Sequence, residues 1–475
     1  MSTLVGLDVG TSGVKAIAVG EDGTVLARAE SSYPLSTPRP GWAEQDPQDW
    51  WRATQEALTA LDAREVAGIG LSGQMHGLVA LDEAGAVVRP AILWNDQRTA
   101  DQCREIEERV GFDRLVELTG NRALTGFTAP KLLWLREHEP DVYARIARIM
   151  LPKDYVRLRL CGEHAIDVAD ASGTLLFDVA RRQWSDEVLA ALEIPREWLP
   201  RALESPDVSG ETSDGIPVAA GAGDQAAGAL GVGVVAPGPA SAVLGTSGVV
   251  FSALDAYRAD PQARVHVFCH AVPGVWHAMG VMLSAAGSLQ WFHDRLAPNT
   301  PYGTLLEEAA GWEPGAEGLT FLPYLAGERT PHADPDARGS FTGLSLRHDR
   351  GALVRAVLEG VAFGLRDCLD VVADVGAVPE IARASGGGAR NELWLQIVAS
   401  VLELPVERLA VEEGAAYGAA LLGGVAGGVF ADPGEAAAAC VRTHGRVDPV
   451  SAWITPYREL RERFRALYPA LRDIR

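Results

Sequence analysis

Short apolar runs separated by turn residues recur along the chain and predict two halves built on one plan. The first half alternates apolar strands with longer periodic segments. The predicted strands and helices of this half are strands at 3–9, 14–20, 24–31 and 66–72, a helix that starts at Pro47 after the capping residue Asp46, and helices at 96–110 and 129–138. The first three strands are joined by short glycine turns, so they predict an antiparallel meander.

The second half repeats this plan at a similar spacing. Its predicted elements are strands at 240–254, 275–283 and 379–385, helices at 284–296 and after the capping residue Asp349, and a loop rich in proline, glycine and charge at 323–345. The last of these strands runs into Gly386-Gly387-Gly388 and then a helix. Glycines between a strand and a helix allow a nucleotide to approach the backbone closely.

One turn sequence occurs once in each half. Gly-Thr-Ser-Gly lies between apolar residues at Val9–Val14 and again at Leu244–Val249. Such a turn directs backbone N–H groups and hydroxyls into one small space, which suits a phosphate group. A single copy is typical of any hairpin. The recurrence, together with its flanking residues, predicts two related halves that face one ligand.

An acidic residue interrupts the first apolar strand two positions before its turn. Asp8 follows Leu4–Leu7, and a carboxylate at the end of an apolar strand is unfavourable unless a cation or hydrogen-bond donors face it. A hydrated magnesium ion beside a polyphosphate would satisfy this carboxylate, directly or through water.

Length and composition predict a globular α/β protein with two domains. The chain has 475 residues, of which 47% are hydrophobic and 22% charged, and this length exceeds what one hydrophobic core usually organises. The repeat divides the chain near Pro237-Gly238-Pro239, which predicts domains at 1–238 and 239–475. The run of small residues from Gly414 to Val429 predicts a packed helix and not a membrane span.

Charge and cysteine content narrow the class of partner. A net charge of −21 disfavours nucleic acid and acidic membranes as partners and favours a small-molecule substrate. Five cysteines and no basic, apolar leader predict reduced thiols and a cytoplasmic protein. His266, Cys269, His270 and His277 lie close in sequence, but their spacing fits no recognised zinc pattern.

Four stretches carry a resemblance to a known family. The chain has neither the common phosphate-binding loop nor the protein-kinase glycine loop with its strand lysine. The stretches Gly6–Lys15, Gly73–Gly77, Gly126–Trp134 and Gly221–Gly228 resemble carbohydrate kinases of the FGGY family, within the sugar kinase, heat-shock chaperone and actin superfamily, and are most similar to its xylulokinase members. These and weaker similarities follow the family's order over about residues 4–420.

The resemblance implies a fold and a reaction. The fold is α/β, with two actin-like (ribonuclease H-like) domains whose mixed sheets are flanked by helices, a sugar-binding domain at 1–238, a nucleotide-binding domain at 239–475, and a cleft for ATP and sugar between them. The reaction is transfer of the γ-phosphate of ATP to the C5 hydroxyl of D-xylulose, with ATP and Mg²⁺ as cofactors. The family also makes a homodimer an expected assembly, although no segment of the sequence marks an interface.

The resemblance also implies roles for individual residues. Asp224 is the expected catalytic base, and its unperturbed pKa of about 3.9 predicts an ionised carboxylate at neutral pH; the alternative is a simple helix cap. Asp8 is expected on the magnesium side, and Met75, His76, Asp224 and Gln225 on the sugar. The expected ATP-binding residues are Gly10, Thr11, Ser12, Gly245, Thr246, Ser247, Gly387, Gly388 and Asn391. Gln225 stands where some xylulokinases are expected to have asparagine.

Two other functions stay open at this point. One is a kinase of the same family that acts on a different ketose, polyol or sugar acid. The other is an ATPase of the actin and chaperone type, whose cleft drives binding or assembly. The segments Gln74–Gly77 and Gly223–Gln225 disfavour the second alternative, because a binder of peptides or polymers does not need a sugar site.

Overall fold

The computed structural model describes residues 2–474. The first half combines long strands in one sheet with short strands and helices inserted between them. Its strands are β1 Thr3–Val9, β2 Gly13–Gly20, β3 Val25–Ser32, β4 Glu44–Gln45, β5 Val66–Gly73, β6 Val79–Leu81, β7 Ala91–Ile92, β8 Arg148–Met150, β9 Ala165–Asp167, β10 Phe177–Asp178, β11 Gln183–Trp184, β12 Arg201–Leu203, β13 Val208–Glu211, β14 Pro217–Ala219 and β15 Ala222–Gly223. Its helices are α1 Pro47–Leu61, α2 Ala100–Val110, α3 Phe112–Thr119, α4 Thr128–His138, α5 Pro140–Tyr143, α6 Pro152–Cys161, α7 Val168–Ser172, α8 Asp186–Leu192 and α9 Asp224–Gly231.

The first sheet has the strand order β13-β14-β5-β1-β2-β3, and β15 also pairs with β5. Strands β1, β2 and β3 form the predicted antiparallel meander, whereas β5 lies parallel to β1. The predicted helix cap is confirmed, because the Asp46 side chain accepts a hydrogen bond from Gln48 N at 2.9 Å. Because β1 and β5 are parallel, their carboxyl ends meet at one edge of the sheet, and the turn after β1 lies at that edge.

The second half is built on the same plan. Its strands are β16 Pro239–Leu244, β17 Gly248–Leu254, β18 His266–Cys269, β19 Trp276–Met282, β20 Thr320–Leu322, β21 Ser340–Thr342, β22 Ile381–Ser385, β23 Val406–Leu409 and β24 Thr443–Val447. Its helices are α10 Ala286–Leu296, α11 Tyr302–Ala310, α12 Arg350–Asp374, α13 Glu392–Leu402, α14 Ala415–Ala426, α15 Pro433–Cys440 and α16 Ser451–Leu471.

The second sheet has the order β18-β19-β17-β16-β22-β23-β24. Strands β16 and β17 are antiparallel around the second Gly-Thr-Ser-Gly turn, and β22 lies parallel to β16. This repeats the relation of β1 and β2 to β5. The structure therefore confirms two α/β halves with mixed sheets flanked by helices.

Helix α14 belongs to the second half in sequence but packs on the first sheet. Glycines on both elements allow this contact: a Cβ atom added at Gly70 of β5 would lie 1.8 Å from Ala419 O, and one added at Gly423 of α14 would lie 2.7 Å from Gly70 N. The small-residue run is thus a packed helix, as predicted. No helix within residues 2–474 is long and apolar enough to cross a membrane. The domain limits at 238 and 239 stay a prediction.

Two predicted segments differ from the structure by more than one or two residues at an end. The helix predicted from residue 96 begins at Ala100, because the buried Asp96 carboxylate instead accepts hydrogen bonds from Ala43 N at 2.7 Å and Arg98 N at 2.9 Å. Bonds from a side chain to nearby backbone compete with helix formation. The predicted loop at 323–345 contains the short strand β21.

Candidate active site

The two repeated turns are held by backbone hydrogen bonds. Gly10 N donates to Gly13 O at 3.0 Å in the first turn, and in the second the carbonyls of Gly245 and Thr246 each accept an N–H from the start of α10 at 2.8 Å. The three serine and threonine side chains that lie exposed on these turns belong to Ser12, Thr246 and Ser247. Fixed backbone turns with free hydroxyls are suited to binding phosphate oxygens.

A cavity of about 510 Å³ is lined by both halves of the chain. The first half contributes Asp8, Asp224 and Gln225 to its walls, and the second contributes Ser247 and Gly387. These five residues were predicted from sequence as site residues, and the structure brings them together around one space. The cavity lies where a nucleotide and an acceptor molecule could meet.

Asp8 occupies the cavity wall at the end of β1. Strand register places it opposite Lys15 on β2 and Ser72 on β5. Burial raises the pKa of Asp8, and the charge of Lys15 opposes part of that rise. The Lys15 ammonium itself pairs with Glu413 Oε2 at 2.6 Å. The neighbouring Ser72 hydroxyl also lowers the pKa of Asp8, and apart from each other Asp8 Oδ1 and Ser72 Oγ have no hydrogen-bond partner among the described residues.

Asp224 is the first residue of α9, and Gly223 occupies the capping position. Its Oδ1 accepts a hydrogen bond from Gln225 Nε2 at 3.2 Å. Burial raises the pKa of Asp224 to about 7, and the negative charge of Asp8 adds to the rise. Without a bound cation this carboxyl is therefore only partly ionised at neutral pH, not ionised as expected from sequence, because burial and the neighbouring Asp8 carboxylate both oppose its charge.

This pair of acids fits a divalent cation. Carboxylate and hydroxyl oxygens are the ligands that Mg²⁺ prefers, and Asp8 offers a buried oxygen whose one protein neighbour among the described polar groups is the Ser72 hydroxyl. A cation beside Asp8 would also offset the repulsion between the two carboxylates. Asp8 could therefore hold a divalent cation, directly or through water.

His76 lies three residues beyond β5 in an unusual backbone conformation, with φ of 70°. Its Nδ1 is 2.7 Å from Gly173 O. Burial lowers the pKa of His76 to about 3, so the ring is neutral. A neutral ring whose Nδ1–H donates to a carbonyl leaves Nε2 as an acceptor for a hydroxyl group.

Met75 is buried between glycines on either side. A Cβ atom at Gly223 would lie 2.8 Å from Met75 Cγ, and one at Gly173 would lie 3.2 Å from Met75 Cε. Met75 therefore packs against the residue that precedes Asp224. This contact joins the segment of His76 to the segment of Asp224.

Two residues that the sequence analysis did not assign hold the His76 backbone. Thr128 Oγ1 donates to His76 O at 3.0 Å, and Lys131 Nζ donates to His76 O at 3.3 Å, to Phe127 O at 2.8 Å and to Gly126 O. Burial lowers the pKa of Lys131 to about 7. A left-handed conformation at a residue other than glycine persists only where its surroundings hold it, and these bonds supply that support. The quoted stretch Gly126–Trp134 was the signal that could have identified them.

Trp94 is a further residue that the sequence analysis left without a role. It is 41% exposed, and its Nε1 donates to Thr11 Oγ1 at 3.0 Å. The Thr11 hydroxyl therefore already has a protein partner beside the first turn. An exposed indole next to the predicted phosphate turn provides an apolar face for a ligand.

A second cavity of about 430 Å³ adjoins the glycine-rich turn after β22. It is lined by Gly387, Gly388 and Asn391, together with apolar side chains of α10, α11 and α13. Gly387 has open space on the side where a Cβ atom would lie. Asn391 caps α13, since its Oδ1 accepts from Trp394 N at 2.9 Å. An apolar cavity next to a glycine turn suits a nucleotide base.

The histidines near Cys269 make ring contacts. His266 stacks on Phe268, His277 stacks on Phe251, and His266 Nδ1 lies 2.7 Å from Asn121 Oδ1. Within residues 2–474, the group whose geometry could hold a metal ion is Asp154, Asp167 and Asp170. Its centre is taken by the Lys153 ammonium, which lies 2.6–2.9 Å from an oxygen of each aspartate.

Comparisons with known proteins agree with this geometry. The family models described as FGGY family of carbohydrate kinases, N-terminal domain and C-terminal domain, match residues 3–231 and 240–427. The xylulose kinase of Escherichia coli strain K12 is 45% identical over 436 residues, covering 89% of this chain and 90% of that protein. The xylulose kinase of Bacillus subtilis strain 168 is 38% identical over 490 residues, covering 100% and 98%.

A solved structure is similar over the same extent. The crystal structure of xylulose kinase from Rhodospirillum rubrum superposes with a TM-score of 0.93 and 35% identity, covering 99% of both chains. The matches to the family models, the identities and the shared architecture lead to one conclusion: this chain belongs to the FGGY family of carbohydrate kinases.

Proposed function

We propose that this protein transfers the γ-phosphoryl group of ATP to the C5 hydroxyl of D-xylulose and releases D-xylulose 5-phosphate and ADP. The observation that carries the proposal is the cavity in which Asp8 and Asp224 of the first half face Ser247 and Gly387 of the second. The names of the relatives at 38–45% identity support D-xylulose as the sugar.

Asp224 acts as the general base in this proposal. As the C5 oxygen forms its bond to the γ-phosphorus, the bond from that phosphorus to the oxygen bridging to the β-phosphate breaks. The hydroxyl proton passes to Asp224, and ADP leaves. A pKa near 7 suits a base that must accept a proton at neutral pH and release it again.

Asp8 holds the magnesium ion, directly or through water. When bound, Mg²⁺ neutralises charge on the phosphate oxygens. The two acids then divide the work: Asp224 serves the alcohol and Asp8 the cation. Phosphoryl transfer is catalysed mainly by alignment and charge neutralisation, and this division of work provides both.

The two turns and the second cavity complete the nucleotide side. Backbone N–H groups and hydroxyls of Gly10, Thr11, Ser12, Gly245, Thr246 and Ser247 bind phosphate oxygens, and Gly387, Gly388 and Asn391 bind the adenosine. On the sugar side, His76 Nε2 accepts a hydrogen bond from a sugar hydroxyl, and the Gln225 amide N–H donates one to the sugar. The Met75 side chain packs against the sugar carbons. Residues 1–238 then form the sugar-binding domain, and 239–475 the nucleotide-binding domain.

The test is an assay of ADP release with purified protein, ATP and Mg²⁺ across a panel of pentuloses, hexuloses and glycerol. We expect D-xylulose to give the highest kcat/KM and the product to carry phosphate at C5, which ³¹P and ¹³C NMR would establish. Higher kcat/KM with another sugar or with glycerol would contradict the assignment to D-xylulose. ATP hydrolysis that no sugar stimulates would contradict a sugar kinase altogether.

A further inference from the structure

An arginine of the second half lies next to the sugar-side residues of the first. Arg329 belongs to the loop after β20, and both of its neighbours are anchored on β19 and the residue that follows it. Leu283 N donates to Glu328 Oε1 at 3.0 Å, and Val281 N donates to Thr330 Oγ1 at 3.0 Å. Thr330 Oγ1 also donates to Arg264 O at 3.0 Å, two residues before the start of β18, so Arg329 is held between β19 and His266.

The rings near Arg329 form a continuous row across the two halves. His76 packs edge-to-face on Phe127 with ring centroids 4.8 Å apart, and Phe127 packs on His266 at 5.8 Å. The positive charge of Arg329 contributes to the lowered pKa of both His76 and His266, after burial. Together with the hydrogen bond from Thr330 to Arg264, two residues before His266, these charge effects indicate that Arg329 lies near the His266 end of this row of rings.

The guanidinium of Arg329 makes no hydrogen bond or ion pair with any residue from 2 to 474. Among the described residues, the acidic group next to it is Glu328, whose Oε1 accepts backbone N–H groups of Leu283 and Arg329. By contrast, Arg347, which follows in the same half, pairs with Glu317 at 2.7 Å. Arg329 is half-buried, and a half-buried guanidinium without acceptors is unfavourable unless a ligand supplies them.

A row of contacts leads from the proposed base toward Arg329 and ends at the Phe127 ring. Asp224 follows Gly223, Gly223 packs against Met75, and His76 comes next and packs on Phe127. A pentulose whose C5 hydroxyl meets Asp224 would extend along this row. Its C1–C2 end, which carries the ketone, would then lie toward Phe127, His266 and Arg329.

We propose that Arg329 donates hydrogen bonds to the C2 carbonyl oxygen of the bound sugar and thereby selects 2-ketoses over the corresponding polyols. A carbonyl oxygen only accepts hydrogen bonds and a guanidinium only donates them, so the two match. A C2 hydroxyl brings a proton that needs an acceptor, and the positive guanidinium does not provide one. Arg329 is in this sense a specificity-determining residue, and the inference rests on the proposed sugar kinase function.

The experiment compares D-xylulose with xylitol and D-arabitol, the two polyols that differ from it only at C2. For Arg329→Met we expect kcat/KM for D-xylulose to fall about 10- to 100-fold, with the polyols changed less than threefold and KM for ATP unchanged. Arg329→Lys keeps the charge but loses the planar guanidinium, so we expect its ratio of kcat/KM for D-xylulose to kcat/KM for the polyols to lie between those of wild type and Arg329→Met. Arg347→Met is the matched control and should retain the wild-type ratio.

Calorimetric titration of D-xylulose without nucleotide provides a readout independent of turnover, and Arg329→Met should weaken this binding by a similar factor. If a folded Arg329→Met or Arg329→Lys protein kept the wild-type ratio of kcat/KM for D-xylulose to kcat/KM for the polyols, this inference would be wrong and the proposed function would stand. Wild-type protein that phosphorylates no sugar, or that prefers a polyol, would instead contradict the proposed function. Circular dichroism melting shows which variants are folded.

Discussion

At Asp224 the properties of a side chain depend on what folding places beside it. The sequence puts Asp8 and Asp224 far apart, yet in the folded chain both line one cavity. Burial and the charge of Asp8 raise the pKa of Asp224 to about 7. The residue type and its place at a turn before a helix could be predicted from sequence, whereas this pKa could not.

The role of Asp224 can be tested by replacing it with its uncharged isostere. Asp224→Asn removes the proton acceptor but keeps the shape and the start of α9. We expect kcat to fall by about 10²–10⁴-fold, the contribution of a general base, while the Kd for ATP measured by calorimetry changes little. Asp186→Asn is the control, because Asp186 is the exposed first residue of α8. Near-normal turnover in Asp224→Asn would leave Asp8 as the candidate base.

Glu328 provides a test based on pH. Burial raises the pKa of Glu328 from 4.5 to about 8, so between these values the folded protein holds a proton that the unfolded chain has lost. The stability that this proton contributes is complete below pH 4.5 and is lost as the pH rises toward 8. The Glu328→Gln side chain does not titrate, so this variant does not lose stability by the same route as the pH rises.

We therefore expect Glu328→Gln to gain stability relative to wild type as the pH rises from about 5 to 8, with a relative gain in melting temperature of about 2–6 °C. Differential scanning calorimetry at several pH values measures this. Exposed Glu83, changed to Gln, is the control and should follow the wild-type curve. Parallel curves for Glu328→Gln and wild type would show that Glu328 does not hold this proton.

At the scale of elements, local signals predicted much of the structure. The meander β1–β3, helix α1 with its Asp46 cap and the helix α12 after Asp349 follow from residues that are adjacent in the chain. The short inserted strands β6 to β12 were not predicted, because strands of two or three residues carry too little periodicity. The partner of α14 was not predicted either, since its packing on β5 joins segments far apart in sequence.

The packing of α14 on β5 depends on the absence of side chains at the contact. Gly70→Ala would place a Cβ atom 1.8 Å from Ala419 O, so we expect it to lower the free energy of unfolding by about 1–3 kcal/mol or more. Gly303→Ala in α11 is the control, because nothing lies within 4 Å of its added Cβ atom, and it should be neutral or stabilising by about 0.5–1 kcal/mol. Urea denaturation of both variants measures the difference. Equal stabilities would mean that α14 moves away from β5 at little cost.

At the scale of the whole molecule, both halves line one cavity and pack against each other through a shared hydrophobic cluster. Helix α14 packs on the first sheet, and Cys269 N of β18 donates to Ser172 Oγ at the end of α7 at 3.1 Å. A molecule with two halves and a cleft between them can close on its ligands. Closure around a sugar would exclude water that competes with the sugar hydroxyl for the phosphoryl group.

This closure predicts that ATP hydrolysis is slow without sugar. We expect the basal ATPase rate to lie on the order of 100-fold or more below the rate with D-xylulose, and small-angle scattering with D-xylulose and ADP to show a smaller radius of gyration than the free protein. The control for the scattering measurement is the protein with D-xylulose but without nucleotide. A high basal rate that no polyol or ketose changes would contradict gating by the sugar.

The sequence by itself determined what depends on neighbouring residues: the two glycine turns, the strands around them, the helix caps and the division into two related halves. Only the tertiary structure decided which of these features meet. It placed Asp8 and Asp224 in one cavity, packed α14 of the second half on the first sheet, and placed Arg329 near the rings of Phe127 and His266. The physical reason is that turn and helix formation depend on local backbone preferences, whereas pKa values, close glycine contacts and unpaired charges depend on burial by residues far away in the chain.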